Sequence, residues 1–383
     1  MFLREFVARE KRFEARLGRR ERKPESYPQR YVEDFFAKSD EVAAQRSFFA
    51  AEFISGHTPT GNETINAKYK DKPVGVVTFS CEYGTNISGA ASGPQSLRQS
   101  GLFELLRKRS RDVVDFGDVN HELVEQNKSE HNFINLQNNQ IKNPIKNILE
   151  CYTAAKLVRD KSMLCLERGL IPLILGGDHS VSIGSVSAVS NFYSSLNKNI
   201  TNNIGLIWID AHPDCNTPLT SPSHCAFGMS VAVLLGLVDG PLKNLQSKPP
   251  AVLPQNMCFI GAREIDAGER ELIEKLNIKC FFMEDIRNKG IEKVVTEAID
   301  VVTKDTAGFV CSFDLDVCDP KHVPGTGLPV DNGFSVEEAL KTIEIVGASP
   351  NLLSFELVEL NSRLDRNSQT TNLALKFIEK LFS

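Results

Sequence analysis

The sequence of 383 residues predicts an α/β protein, built on a parallel sheet with helices on both faces. Two observations carry this. From "KPVGVVTFS" (72–80) onward, short β-rich apolar runs alternate with helical stretches. The runs are also apolar throughout, as strands covered on both sides are, rather than alternating apolar and polar.

Before that point, residues 1–72 read as a helical, polar N-terminal extension, separate from the α/β part at 73–383. "MFLREFVAREKRFEARLGRRERK" places Phe2, Phe6, Phe13 and Leu17 largely on one helical face. Its arginines resemble a mitochondrial transit peptide, but Glu5, Glu10, Glu14 and Glu21 intervene, and such peptides are poor in acid. An exposed helix laced with i,i+4 charge pairs is the expectation. "SGHTPTGNET" (55–64) breaks this region. After the first strand, the runs "VVDFGDV", "IPLILGG", "IGLIWIDAH", "MCFIGAR", "KCFFM", "FVCSFDLD" and "LLSFELVEL" read as strands in turn. Amphipathic "YTAAKLVRDKSMLCLERG" (152–169) and "SVEEALKTIEIV" (335–346) read as helices between them, and Asn-rich 127–147 as a surface connection.

Composition narrows the function. A net charge of −5 argues against nucleic-acid or anionic-membrane partners, which draw a basic excess. Apolar runs stop short of the roughly 20 residues that span a bilayer. Nine scattered cysteines suit reduced thiols in a cell interior better than a secreted disulfide framework. Cytoplasm is therefore expected, with the mitochondrion second because of the basic N-terminal segment.

In open parallel sheets, ligands bind beyond the carboxyl ends of the strands. Three such ends are charged. "IGLIWIDAHPD" ends in Asp210, His212 and Asp214; "FVCSFDLD" ends in Asp314 and Asp316; "IPLILGGDHS" ends in Asp178 and His179. Period-2 geometry would turn Asp210, His212 and Asp214 to one side if extended backbone continued. Of the adjacent pair Asp178 and His179, at most one can join them. Four close carboxylates repel one another, and bound divalent metal removes that repulsion. An oxygen-rich set with a minority of imidazoles suits Mn²⁺ better than structural zinc, and six ligands suffice for two ions. Taken singly, "GGDHS" is also an ordinary capped turn and "SFDLDVCDP" an acidic turn; their joint occurrence after three strands is the signal.

These segments resemble the signatures of the ureohydrolase superfamily of arginases, agmatinases and formimidoylglutamases: "GGDHS", "DAHPD" followed by "CNTPLT", and "SFDLDVCDP" followed by "PGTG". "SGPQSLRQSGL", "FIGAREIDAGE" and "VELN" are most similar to arginase segments. The resemblance implies a three-layer α/β sandwich with an eight-stranded, mainly parallel sheet, a pair of Mn²⁺ ions, and a homo-oligomer, trimeric or hexameric. It assigns His179, Asp210, Asp214 and Asp314 to one ion, and Asp210, His212, Asp314 and Asp316 to the other. Asp319 matches a structural acid of the same turn. Glu359 matches the carboxylate that pairs with a guanidinium. Asn216 and Ser223 match contacts to an α-carboxylate, and Asp266, with Glu269 nearby, a contact to an α-amino group. On local pattern alone Asp266 also reads as a helix N-cap, and Glu359 as a surface acid.

The implied reaction is hydrolysis of L-arginine to L-ornithine and urea by a hydroxide held between the metals, with Asp214 and Glu359 in the catalytic set. Three positions depart from arginase. Phe227 stands where a proton-carrying histidine is expected, Cys225 where an asparagine is, and Leu328 where a threonine is. His224, three positions before Phe227, is the candidate replacement for the missing imidazole. The alternatives are a related amidine hydrolase, of formimidoylglutamase or guanidino-acid type, and a metal-binding homologue with weak or no activity.

Overall fold

The computed structural model describes residues 73–109, 112–128, 145–196 and 204–383. The expected N-terminal helix, the break at 55–64 and most of the Asn-rich connection lie outside the described residues.

In chain order the elements are β1 (Val74–Ser80), α1 (Gly93–Gln99), α2 (Leu102–Arg109), β2 (Val113–Asn120), α3 (His121–Lys128), α4 (Ile148–Glu167) and β3 (Ile171–Leu175). There follow α5 (Val181–Leu196), β4 (Ile204–Ile209), α6 (Ser230–Leu234), β5 (Val252–Ile260), α7 (Ala267–Leu276) and β6 (Lys279–Phe281). The chain closes with α8 (Met283–Lys289), α9 (Ile291–Thr303), β7 (Phe309–Asp314), α10 (Val336–Ala348), β8 (Leu352–Val358) and α11 (Gln369–Leu381). All eight apolar runs form strands, and the two helical segments form α4 and α10. The α10 start is a capping box: Ser335 Oγ accepts from Glu338 N at 3.1 Å and Glu338 Oε2 from Ser335 N at 2.8 Å.

The strands form one sheet in the order β2-β1-β3-β8-β7-β4-β5-β6, with every pairing parallel. Its two faces bury different residues of the same strands. Val74, Val76, Leu173 and Leu175 pack on one side with Leu97, Leu106, Val294, Ile343 and Phe377, so α1, α2, α9, α10 and α11 form that layer. Val77, Phe79 and Ile174 pack on the other with Ala154, Val158 and Val181 of α4 and α5. Helix, sheet, helix: the three layers follow from strands without a polar face. Phe313 ties β7 to α11 through Phe377, ring centroids 5.6 Å apart. Truncating such a buried ring costs about 3–5 kcal/mol.

β3 and β4 are successive strands, yet β8 and β7 lie between them. This reversal opens a crevice at the carboxyl ends of the four central strands, where parallel sheets bind ligands. The turn after β3 is pressed onto β1: Gly177 N donates to Phe79 O at 2.6 Å, and a Cβ on Gly177 would lie 2.0 Å from Cys81 O. Only glycine fits that approach.

Candidate metal centre and cleft

The four strand ends deliver His179, Asp210, Asp314 and Glu359 to one place, but not by continued extended backbone. β4 stops at Ile209, and Asp214 reaches the cluster because its own backbone is left-handed, at φ 49°. Asp316 arrives through a 3₁₀ turn over Leu315–Val317, its N–H donating to Asp314 Oδ1 at 2.7 Å. Asp210, His212 and Asp214 thus come together as expected, but through a turn rather than through continued extended backbone. Of the adjacent pair, His179 alone joins. The Asp178 carboxyl turns away, accepting from Gly84 N at 2.8 Å and Ser180 N at 2.9 Å.

Two clusters result, His179–Asp210–Asp314 and Asp210–His212–Asp316, with Asp210 common to both. His179 Nδ1 lies 3.0 Å from Asp210 Oδ2, 3.1 Å from Asp314 Oδ2 and 3.3 Å from Asp214 Oδ2. His212 Nδ1 lies 3.0 Å from Asp316 Oδ2 and 3.4 Å from Asp210 Oδ1. Neighbouring donors on an octahedral shell of about 2.1 Å radius stand about 3 Å apart. His179 Nδ1 is buried without a hydrogen-bond partner, while Nε2 bonds Ser312 Oγ at 2.8 Å. A ring nitrogen aimed between three carboxylates, with its other nitrogen tied back, fits a divalent cation.

The charge balance points the same way. Burial and the charge of Asp210 push the Asp214 carboxyl up to about 6. Burial, then Asp316 and Asp210, hold Asp314 well above the usual carboxylate range, and burial with Asp210 raises Asp316. Burial opposes protonation of His179, but Asp210, Asp214 and Asp314 outweigh it and raise its pKa well above the ordinary value. Burial opposes His212 too, and Asp316 and Asp210 prevail. Cations bound among these groups would relieve the repulsion that raises the carboxylates.

Residues outside the sequence reading hold the cluster in place. Trp208 stacks on His179, centroids 3.9 Å apart, and its Nε1 donates to Asp210 Oδ2 at 3.0 Å. Arg263 donates to the carbonyls of Asp316 (2.8 Å), Val330 (2.7 Å), Asp331 (3.1 Å), Gly261 (3.2 Å) and Val317 (3.2 Å), clamping the Asp316 turn. Asp319, which the sequence did single out, pins the same loop by accepting from Lys321 N at 3.2 Å and Asn332 N at 3.1 Å. Ser312 had a visible signal: a hydroxyl inside an apolar strand, two positions before Asp314. Arg263, at a strand end, had a weaker one.

A cleft opens over the clusters, with His212, Asp214, Asp314, Asp316 and Glu359 in its floor and walls. Thr85, Ile87, Phe227, Gly327 and Leu328 complete it. Glu359 is another left-handed residue, φ 63°; its N–H donates to Gly177 O, and its Oε1 accepts from His179 N at 2.9 Å. A Cβ on Gly327 would lie 3.8 Å from Glu359 Oε2, so the missing side chain leaves room beside that oxygen. Burial and Asp178 hold the Glu359 carboxyl well above its ordinary pKa.

His224 is not in the lining; Phe227 is. The imidazole candidate therefore stands outside the cleft wall that Phe227 helps to form. It sits on a left-handed backbone at φ 56°, its carbonyl bonded to Lys146 N and its Nδ1 buried without a partner. Asn216, Ser223, Asp266 and Glu269 also lie outside the lining and are paired with one another, with neighbouring hydroxyls or with backbone. Asn216 Nδ2 donates to Asp266 Oδ2 at 2.8 Å. Glu269 accepts from Cys215 N and Asp266 N, both at 3.0 Å, and Ser223 Oγ from Cys225 N at 3.2 Å. Asp266 is the N-cap of α7, with Glu269 three residues on in a capping box.

Comparison with known proteins agrees with this geometry. A profile of the Arginase family matches residues 72–383. Arginase of Staphylococcus aureus (strain MRSA252) is 33% identical over 314 residues, spanning 82% of this chain and 98% of that one. Arginase of Brevibacillus brevis is 34% identical over 312 residues, with the same coverage. The crystal structure of Bacillus subtilis arginase superposes with a TM-score of 0.72 at 32% identity, covering 82% of this chain and 99% of that one. Among the described residues no helix is long and apolar enough to cross a membrane. Sheet order, paired clusters and sequence thus agree, and the chain belongs to the arginase family.

Proposed function

We propose that the protein hydrolyses the guanidinium group of L-arginine, giving L-ornithine and urea, with two Mn²⁺ ions. His179, Asp210, Asp214 and Asp314 would hold one ion, and Asp210, His212, Asp314 and Asp316 the other. Such a pair supplies water ionised near neutral pH and polarises the carbon to be attacked. The observation that carries the reading is a carboxylate, Glu359, sharing one cleft with both clusters.

Glu359 pairs with the planar cation and orients its carbon over the clusters. Oε1 is partly spent on His179 N, so Oε2 bears most of that contact. Asp214 lines the cleft beside the clusters and takes the proton released by the nucleophile. It then returns a proton to the departing amine, since Phe227 carries none. Asn216 and Ser223 would receive an α-carboxylate, and Asp266 with Glu269 an α-amino group, once the Asn216–Asp266 bond opens.

A second reading is favoured by that same bond and by the apolar Ile87, Phe227 and Leu328 in the cleft. In it the substrate is a guanidino or formimino compound without an α-amino-acid head. Urea release by the Mn²⁺-loaded protein from L-arginine, set against alkylguanidines, guanidino acids and formimino acids, decides between them. Faster turnover of any of these than of arginine sinks the first reading. If nothing reacts, with wild type or with Phe227→His, the chain is a metal-binding homologue. All nine cysteines are free thiols and eight are buried, which supports a reducing compartment, cytoplasm before mitochondrion. The family supports a homo-oligomer, trimer or hexamer, which light scattering on the full chain measures.

A further inference from the structure

One buried carboxyl has no part in this chemistry. Glu356 of β8 is completely buried against α5, three residues before Glu359. Its Oε2 accepts from Ser182 Oγ at 2.5 Å, and its Oε1 from Ser185 Oγ. Ser182 Oγ lies 3.3 Å from Ser312 Oγ, which lies 2.8 Å from His179 Nε2. His179, Ser182, Ser312 and Glu356 all have 0% exposure, so water does not compete along this path.

The protons can be placed in one order only. A histidine that presents a lone pair to a cation at Nδ1 carries its proton on Nε2. Nε2–H then donates to Ser312, whose own proton goes to Ser182, whose proton goes to Glu356 Oε2. Each hydroxyl accepts once and donates once, and the chain ends on an acceptor. Run the other way, the chain would strip Nε2 of its proton and put one on Nδ1, in the place meant for the cation.

We propose that Glu356 is a positioning residue for His179, acting through Ser182 and Ser312 to hold the ring in its Nδ1-ligating tautomer and orientation. The inference rests on the metal reading of the site. Ligating histidines commonly donate their second nitrogen to a carboxylate, and loss of that partner costs about 10- to 100-fold in metal affinity. Here two hydroxyls intervene. They keep the anion in the sheet–helix layer, apart from the four carboxylates already at the site.

The test is Mn²⁺ titration of the full-length, chelator-stripped protein by calorimetry. Fluorescence of Trp208, the only tryptophan, stacked on His179, is a second readout. Wild type is expected to bind two ions. Glu356→Gln keeps the volume but turns an N–H toward the serines, and should weaken one of the two sites about 10- to 100-fold. Ser182→Ala should do the same, and decides the matter if the glutamine variant does not fold. Combining the two should cost no more than either alone. Ser187→Ala, which removes a buried α5 hydroxyl without a partner, should leave both affinities unchanged. A purely structural Glu356 would lower the melting temperature of the metal-free protein without separating the two sites. Wild-type affinities in both Glu356→Gln and Ser182→Ala, or an equal loss in Ser187→Ala, overturn the relay alone. Wild type that binds no Mn²⁺ overturns the metal reading and the relay with it.

Discussion

Asn216 and Asp266 are hydrogen-bonded to each other, the amide Nδ2 donating to the carboxylate Oδ2 at 2.8 Å. The two groups matched to opposite ends of an amino-acid head therefore satisfy one another. For L-arginine the bond must be exchanged for bonds to the charged head, each contributing about 1.5–3 kcal/mol. Asn216→Ala with Asp266→Ala should raise KM for arginine about tenfold or more, with kcat little changed. KM for an alkylguanidine should stay as it is. Steady-state urea release checks both, and an unchanged KM for arginine would show that the pair does not bind its head.

Phe227 lines the cleft, where the proposed reaction calls for a proton on the leaving amine. Phe227→His is expected to raise kcat about 100-fold or more, in the range of one general acid–base group. KM should move much less. The backbone need not change, because Phe227 is placed through its N–H to Gly84 O at 3.1 Å. A kcat equal to wild type would assign proton delivery wholly to Asp214.

Asp210 is common to both clusters and is held by Trp208. Mn²⁺ at about a hundredfold excess over Kd should stabilise the stripped protein by about 2.7 kcal/mol per ion, or about 4 °C per ion in melting temperature for a folded part of this size. Asp210→Ala should abolish the shift for both ions. Asp316→Ala should keep part of it, since it belongs to one cluster only. Metal analysis after gel filtration, with thermal unfolding, measures this.

In the proposed reading Glu359→Gln removes the charge that would face the substrate cation, while keeping the acceptor for His179 N. Truncating a buried charged partner costs about 2–5 kcal/mol, so kcat/KM should fall about 30-fold or more. Gly327→Ala fills space 3.8 Å from Glu359 Oε2 and about as close to Ile87 as contact allows, at 3.3 Å. It should raise KM more than it lowers kcat. Equal kinetics in both variants would remove Glu359 from the binding site.

Away from the cleft, Arg98 pairs with Asp115 at 2.7 Å and holds its carboxyl below the ordinary pKa. A depressed carboxylate stabilises the fold above its unfolded pKa, and that contribution fades as pH falls through the lower, folded value. The pair is partly exposed, so it contributes about 0.2–1 kcal/mol. Asp115→Asn should remove this much at pH 7 and nothing at pH 2, as read by denaturant unfolding.

The order of strands along the chain, the parallel sheet and the six metal-ligand candidates were legible in the sequence. Each rests on local chemistry: β-rich apolar runs need cover on both faces, and charged residues at their carboxyl ends fall in the crevice. The mutual pairing of Asn216 with Asp266, the absence of His224 from the cleft, and the relay from His179 to Glu356 were not legible. Asp214, His224 and Glu359 all have left-handed backbones, at φ 49°, 56° and 63°, in a region that side-chain type rarely announces. Ser182, Ser312 and Glu356 come from three elements up to 174 residues apart, joined because β7 and β8 are neighbours in the sheet and α5 packs across both. Period and composition determine which residues can sit at a strand end. Which way each side chain turns, and which partner has already claimed it, only the packed tertiary structure decides.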